Sequence, residues 1–163
     1  MRKKWIILLL CIFLLVGCKA QTNQNKKQDS NKMIHEHCVR TGTLEGGEVS
    51  LQYDVYYTGE KLNLVFSEET VISSSEQVLN NYENAYRSIH QNYKDLKYYD
   101  TEIVRNTNSV TSKMTIHYDQ IDLEQLLRIE GNEDNVVEDG IAKIEKWKAL
   151  AKRLGASCQV VED

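Results

Sequence analysis

The sequence predicts an α+β domain in which an antiparallel sheet is covered on one face by helices, in two layers. Residues 35–73 alternate apolar and polar side chains between short turns, which predicts a three-strand meander. From Val78 the apolar residues recur every three or four positions, as in an amphipathic helix. Alternation returns at Tyr99 and predicts a second hairpin. Because each strand has one polar face, helices can cover the sheet on one side only.

Glycine-containing turns separate the three strands of the meander. Residues 45–48 (EGGE) end the first strand, and residues 49–57 alternate strictly in the second. A turn at residues 58–61 (TGEK) leads into a third strand that ends near Ser73. Strands joined by such short turns pair antiparallel.

A long helix follows the meander. Ser74 or Ser75 can cap it, since either hydroxyl can accept a bond from the first turn. Its predicted apolar stripe consists of Val78, Tyr82, Ala85, Ile89, Tyr93 and Leu96. The stripe is expected to pack on the sheet.

The remaining elements are shorter. A turn at residues 106–108 closes the second hairpin, and Asp122 is expected to cap a short helix. A last helix is predicted to start near Asp139 and to end at Gly155, and residues 157–161 can add an edge strand.

The first 18 residues predict export and a lipid anchor. A basic start is followed by an apolar run, residues 5–16, which is too short to span a bilayer comfortably. Residues 15–18 (LVGC) resemble the lipobox of bacterial lipoproteins, in which the cysteine is acylated and becomes the N-terminus. We therefore expect palmitate-type lipid on Cys18 to hold the protein on the extracytoplasmic face of the cell membrane. The alternative is an ordinary signal peptide with an incidental cysteine.

The expected organisation is a signal peptide (1–17), a lipidated cysteine with a polar tether (18–34) and a single α+β domain (35–163). The leader contains three of the 20 basic residues and none of the 24 acidic ones, so its removal takes the net charge from −4 to about −7. An acidic chain does not attract phosphate backbones, so no nucleic-acid partner is expected. We expect a monomeric domain.

Two cysteines remain in the folded region after Cys18 is acylated. Cys38 and Cys158 form an even pair in an exported protein, which favours a disulfide that closes a loop of about 120 residues. The alternative is a pair of buried free thiols that pack as small hydrophobic groups.

The order of elements and several short phrases resemble the YehR-like bacterial lipoproteins. The resemblance rests on the lipobox, on Cys38 in the first strand, and on residues 57–62 (YTGEKL) and 115–119 (TIHYD). It also includes Gly140-Ile141 at the predicted start of a closing helix. The resemblance covers nearly the whole mature chain and implies a lipid-anchored α+β domain. It implies no activity, because this family has no assigned biochemical function, and it assigns chemistry to Cys18 alone.

One segment contains several residue types that bind metals. His35 and His37 alternate on a strand and therefore point the same way, with Glu36 and Cys38 beside them. A zinc site needs three or four such ligands, and a disulfide would remove Cys38 from the set. His35 and His37 are thus weak metal candidates, and the alternative is a polar entry to the first strand.

Other candidate sites are weaker still. His90 and His117 lack an acid or nucleophile at a recognisable spacing and are expected to face solvent. Residues 130–135 (EGNEDN) are acidic but lack the ligand spacing of a calcium loop, so a solvated turn is expected. Tyr56 and Tyr98 have the wrong parity for the core and could form an exposed aromatic binding surface.

No catalytic constellation is apparent in the sequence, so we expect a non-catalytic binding or interaction module that needs no cofactor. Its ligand is not encoded in any recognisable motif. The alternative is a small surface metal-binding lipoprotein or enzyme that uses the His35-Glu36-His37 segment.

Overall fold

The structure is a computed structural model that describes residues 32–131 and 135–162. Three helices pack on one face of an antiparallel sheet, which confirms the predicted two-layer α+β fold. The elements are β1 (Met33–Leu44), β2 (Gly47–Thr58), β3 (Lys61–Ser73), α1 (Glu76–Tyr93), β4 (Tyr99–Arg105), β5 (Ser109–His117), α2 (Leu123–Glu130), β6 (Val137–Glu138), β7 (Ile141–Ala142), α3 (Ile144–Arg153) and β8 (Ser157–Val160).

The main sheet has six strands in the order β4-β5-β3-β2-β1-β8. The predicted meander (β1–β3) and second hairpin (β4–β5) are both present, and β5 joins the outer side of β3. The short strand β8 lies at the edge of the sheet, as predicted for the C-terminal segment, and it pairs antiparallel with β1. β6 and β7 form a separate two-stranded hairpin.

Period-two alternation gives the sheet a covered face under the helices and an open face. On β2, Leu51, Val55 and Tyr57 are buried on the covered face. Asp54 and Tyr56 have the opposite parity and lie on the open face.

Two groups of buried side chains lie on the covered face. The larger one includes Leu62, Leu126 and Trp147 and packs under α2 and α3. The smaller one is built around Leu79 and Tyr86 of α1. Polar residues separate the two groups in the middle of the sheet. On β3, Ser67 and Glu69 lie between Val65 of the larger group and Val71 of the smaller one. On β5, Ser112 lies between Ile116 and Val110 in the same way.

The predicted stripe of α1 is partly wrong. Ala85 and Ile89 are exposed, and Leu79 and Tyr86 are the residues that the helix buries. The side of α1 that packs on the sheet includes His90, which a search for apolar residues does not select because its ring is polar. Tyr86 and His90 can lie over the sheet because two of these polar residues are their hydrogen-bond partners. The partner of Tyr86 is Glu69, and that of His90 is Ser112.

The predicted start of the last helix is also wrong. Asp139 (φ 52°) and Gly140 (φ 77°) form the turn of the β6–β7 hairpin, and α3 begins only at Ile144. An Asp-Gly pair adopts the left-handed conformations that a two-residue hairpin needs. This preference outweighed the helical spacing of the apolar residues around it.

The helix caps agree with the sequence. The Ser75 hydroxyl accepts from the backbone N–H of Val78 at 3.4 Å, and Asp122 Oδ1 accepts from that of Gln125 at 2.9 Å. Strand β1 begins at Met33, two residues before the expected start of the domain. The predicted signal peptide, Cys18 and most of the tether lie outside the described residues.

No helix in the described part of the chain has the length and apolar character needed to cross a membrane.

Candidate functional site

A cavity of about 420 Å³ lies between the covered face of the sheet and the three helices. Ligand pockets typically enclose about 300–1,000 Å³, so this volume suits a small molecule. Its lining residues are Tyr53, Val65, Ser67, Tyr93, Met114, Ile116, Tyr118, Ile129, Glu130, Val136, Trp147 and Leu150. We call this space the helix-side cavity.

A small residue on β3 helps to leave this space open. Ser67 pairs across the sheet with Tyr53 and Met114, and its short side chain stands where a larger one would fill the gap. Ser67 is 6% exposed, and its Oγ has no hydrogen-bond partner among the described residues. An unpartnered buried hydroxyl costs about 1–3 kcal/mol, which a bound ligand or water could recover.

Aromatic rings form much of the wall. The rings of Tyr53 and Trp147 meet edge to face at 5.3 Å, and Tyr93 stacks on Tyr99 at 4.2 Å. Burial and the nearby Glu130 carboxylate raise the pKa of Tyr93 to about 12. Burial also raises the pKa of Tyr118 well above its usual value. These hydroxyls therefore stay neutral at physiological pH and can donate hydrogen bonds.

Glu130 is the acidic residue among those that line the cavity, and no lysine or arginine of the described chain lines it. The Tyr93 hydroxyl donates to Glu130 Oε1 over a long 3.5 Å. Burial raises the pKa of Glu130, and the bond from Tyr93 opposes that shift only in part. The residue also ends α2, where the helix dipole disfavours negative charge. Stability therefore does not account for an acid at this position.

His35 and His37, the weak metal candidates, both contact Asp54, a residue that the sequence does not mark as part of this cluster. His35 Nε2 and His37 Nδ1 lie 2.8 Å and 3.0 Å from Asp54 Oδ1 on the open face. Burial alone would raise the pKa of Asp54, but the hydrogen bonds from the two histidines outweigh it and lower the pKa. Asp54 could be found only from the register of β1 and β2, which places it opposite His37.

The ligand atoms of His35, His37 and Asp54 do not all lie within 4.8 Å of one another. Among the described residues, one group of metal-type ligands has its donor atoms all within 4.8 Å of one another, and it consists of Glu36, Cys38 and Cys158. The two sulfur atoms of that group are bonded to each other in a disulfide, so they are not thiolate ligands. The favoured disulfide is thus present, and the geometry favours hydrogen bonding over metal binding near His35.

The two tyrosines proposed as a binding surface do not lie on neighbouring strands. Tyr56 is on β2 and stacks on His35 at 4.4 Å, whereas Tyr98 precedes β4, with β5 and β3 between them. Tyr98 is exposed, as expected. A binding surface formed by the two residues stays a prediction.

The expectation that His90 faces solvent is wrong. His90 is half-buried on the side of α1 that faces the sheet, and its Nε2 lies 2.9 Å from Ser112 Oγ. Burial lowers its pKa. His117 is on the open face, 6.5 Å from the ring of Tyr98.

Comparison with a solved structure shows a shared fold. The chain is similar to the NMR structure of the Escherichia coli YehR protein, with a TM-score of 0.54 and 16% identity over 82% of this chain and 95% of that one. An NMR structure of a protein from Streptococcus pneumoniae TIGR4 gives a TM-score of 0.46 at 13% identity and covers 80% of this chain and 87% of that chain. No family model and no curated protein matches the chain. At 16% identity, the likeness to YehR demonstrates the fold alone.

Proposed function

We propose that this protein is an extracytoplasmic, membrane-anchored bacterial lipoprotein of the YehR-like kind, and that it is a non-catalytic module that holds a small ligand in the helix-side cavity. The cavity is the observation that carries the binding role. The anchor rests on residues 15–18 (LVGC), and the shared fold supports the family relationship.

The composition of the cavity supports binding of a partly apolar molecule. Aliphatic and aromatic side chains dominate its lining, and a few polar groups, Ser67 and Glu130 among them, converge on it. This is the usual make-up of a small-molecule site, in which apolar walls provide affinity and a few polar groups fix orientation.

The chemistry of Ser67 supports binding rather than catalysis. A serine nucleophile requires a base within hydrogen-bond reach to take its proton. Ser67 Oγ has no such partner in the described part of the chain. The hydroxyl is therefore suited to orient a ligand.

A fluorescence titration tests the binding role directly. The chain has two tryptophans, Trp5 in the leader and Trp147 in the cavity wall. A full-length Trp5→Phe protein in a non-ionic maltoside detergent therefore reports on the cavity through Trp147 alone. We expect at least one member of a panel of neutral, cationic and anionic small molecules to change this emission saturably.

A cavity-filling variant provides the control. Ser67→Leu should abolish the saturable change because the larger side chain occupies the space. Ser50→Leu, a similar exchange on the open strand face of β2, should leave it intact. If no chemical class binds saturably, or if Ser67→Leu binds as well as the parent protein, the proposed function is wrong.

A further inference from the structure

On the basis of the proposed binding function, we infer that the helix-side cavity takes a small organic cation, an ammonium group with apolar substituents, and that Glu130 is its counter-charge. Three independent features of the cavity lead to this ligand class: its charge, its aromatic wall and its unpartnered hydroxyl.

Among the described residues that line the cavity, no lysine or arginine balances the charge of Glu130. Glu130 is half-buried, and it takes part in none of the salt bridges found among the described residues. Its neighbours in the cavity are tyrosines, which remain neutral, and the long bond from Tyr93 is weak compensation. A nearby opposite charge favours the ionised form of such a partly buried carboxylate. A ligand cation would supply the missing partner.

The aromatic wall suits the same charge. Four of the lining residues carry rings with electron-rich faces: Tyr53, Tyr93, Tyr118 and Trp147. Such rings attract ammonium groups within about 6 Å and are the usual means of recognising quaternary ammonium ligands. The protein already makes one such contact elsewhere, where Lys148 Nζ lies 4.6 Å from the ring centroid of Tyr57.

A polar substituent on the ligand would complete the site. Ser67 Oγ can donate one bond and accept others, and it is the unpartnered polar atom on the sheet side of the cavity. The acidic net charge of the chain would also raise the local concentration of cations relative to anions. A hydroxyl-bearing alkylammonium therefore matches the charge, the wall and the hydroxyl together.

The decisive comparison is between a cation and its neutral isostere. Choline and 3,3-dimethyl-1-butanol have nearly the same shape and differ in charge, and benzyltrimethylammonium adds a probe that fills more of the cavity. All three are titrated into the full-length Trp5→Phe protein in maltoside detergent, with Trp147 emission as the readout. We expect the neutral alcohol to bind at least about tenfold more weakly than choline, because the ammonium charge alone is attracted by the Glu130 carboxylate and by the ring faces.

A matched pair of variants assigns the charge to one residue. Glu130→Gln keeps the shape of the side chain and should reduce choline affinity about tenfold with little effect on the alcohol. Glu124→Gln makes the same change on an exposed position of α2 and should have no effect. The isostere comparison requires no variant, so the inference remains testable if Glu130→Gln does not fold.

The outcomes separate this inference from the proposed function. Preference for choline over the alcohol that Glu130→Gln removes supports the cation. Equal binding of the two probes, or a preference that Glu130→Gln leaves unchanged, overturns the assignment. If only neutral or anionic members of the panel bind, the cation is wrong and the binding module stands. If no class binds, both fail.

Discussion

The Lys148 ammonium lies 2.7 Å from the carboxylate of Glu36, and this contact joins α3 to the first strand of the sheet. The Glu36 side chain is 8% exposed, and the Tyr57 hydroxyl donates to the same carboxylate oxygen at 2.7 Å. Burial alone would lower the pKa of Lys148, but the hydrogen bonds and charge of Glu36, with Tyr57, outweigh it and raise the pKa. The raised pKa of Lys148 therefore adds stability at physiological pH, and this contribution is lost as the pH rises through the folded pKa of the lysine.

Lys148→Met should destabilise the protein because it leaves the Glu36 carboxylate buried with the Tyr57 hydroxyl as its remaining donor. Breaking a buried pair costs about 3–5 kcal/mol, and the partial exposure of Lys148 reduces the expectation to about 1–3 kcal/mol. Urea denaturation measures the loss. Lys152→Met, on an exposed position of the same helix, should cost far less. Equal losses in the two variants would show that the ion pair has no stabilising role.

His90 should make the stability of the fold depend on pH. Because burial lowers its folded pKa, the unfolded chain binds more protons than the folded one between that value and about 6.5. Stability should therefore fall as the pH drops from 7.5 to 5. In His90→Gln the fall in thermal midpoint should be smaller, since glutamine can keep a bond to Ser112 without titrating. His117→Gln, on the open face, should behave like the parent protein, and an equal effect of both variants would contradict the assignment.

The sheet could be predicted from the sequence because its signals are local. Alternation within each strand and the turn residues between strands identify β1 to β5 without knowledge of distant contacts. The predicted start of α3 is wrong for an equally local reason, because Asp139 and Gly140 form a turn where the spacing of apolar residues predicts a helix.

The cavity could not be predicted, because its parts are distant in sequence. Glu130 opens an acidic stretch that reads as a solvated turn, and only the packing of α2 against the sheet brings it to Tyr93. Ser67 looks like an ordinary polar residue within a strand. Ser67 lines a cavity only because α3 brings Trp147, which lies 80 residues later in the chain, to the same place.

Gly47 should tolerate no side chain. A Cβ at this position would collide with the backbone carbonyl oxygen of Ile72 on the neighbouring strand, which cannot move without disturbing the β2–β3 pairing. We expect Gly47→Ala to cost about 1–3 kcal/mol and to lower the thermal midpoint by about 4 °C or more. Gly42→Ala is the control, since its added Cβ would meet Val49 at 3.4 Å and its φ is ordinary. A midpoint for Gly47→Ala that matches that of Gly42→Ala would contradict this account of the turn.

Cys18 should be the site of lipid attachment. Replacement by alanine removes the thiol that accepts the diacylglyceryl group, so the protein should lose palmitate label and remain uncleaved by the lipoprotein route. Metabolic labelling in a bacterial host, followed by gel analysis, measures both effects. Cys11→Ala is the matched control within the same leader and should be labelled normally. Label retained in Cys18→Ala would exclude the lipobox interpretation.

The Cys38–Cys158 disulfide should hold β8 on the sheet. The two cysteines are direct partners across β1 and β8, with Cα atoms 4.0 Å apart, and all four residues of β8 are exposed. Burial therefore contributes little to keeping this edge strand in place. In exported protein, alkylation without reductant should modify neither thiol, even after denaturation, as read by intact mass.

Reduction should then release β8 and lower the free energy of unfolding. Closing a loop of 120 residues contributes about 4–5 kcal/mol in the chain-entropy account, which is an upper expectation. The amide of Val161, bonded to His35 O at 2.9 Å, should exchange with solvent much faster in the reduced protein. The double variant Cys38→Ala/Cys158→Ala should show the same exchange without reductant. Two alkyl groups on the unreduced chain would mean that the disulfide is absent. Unchanged exchange at Val161 after reduction would mean that β8 stays in place without it.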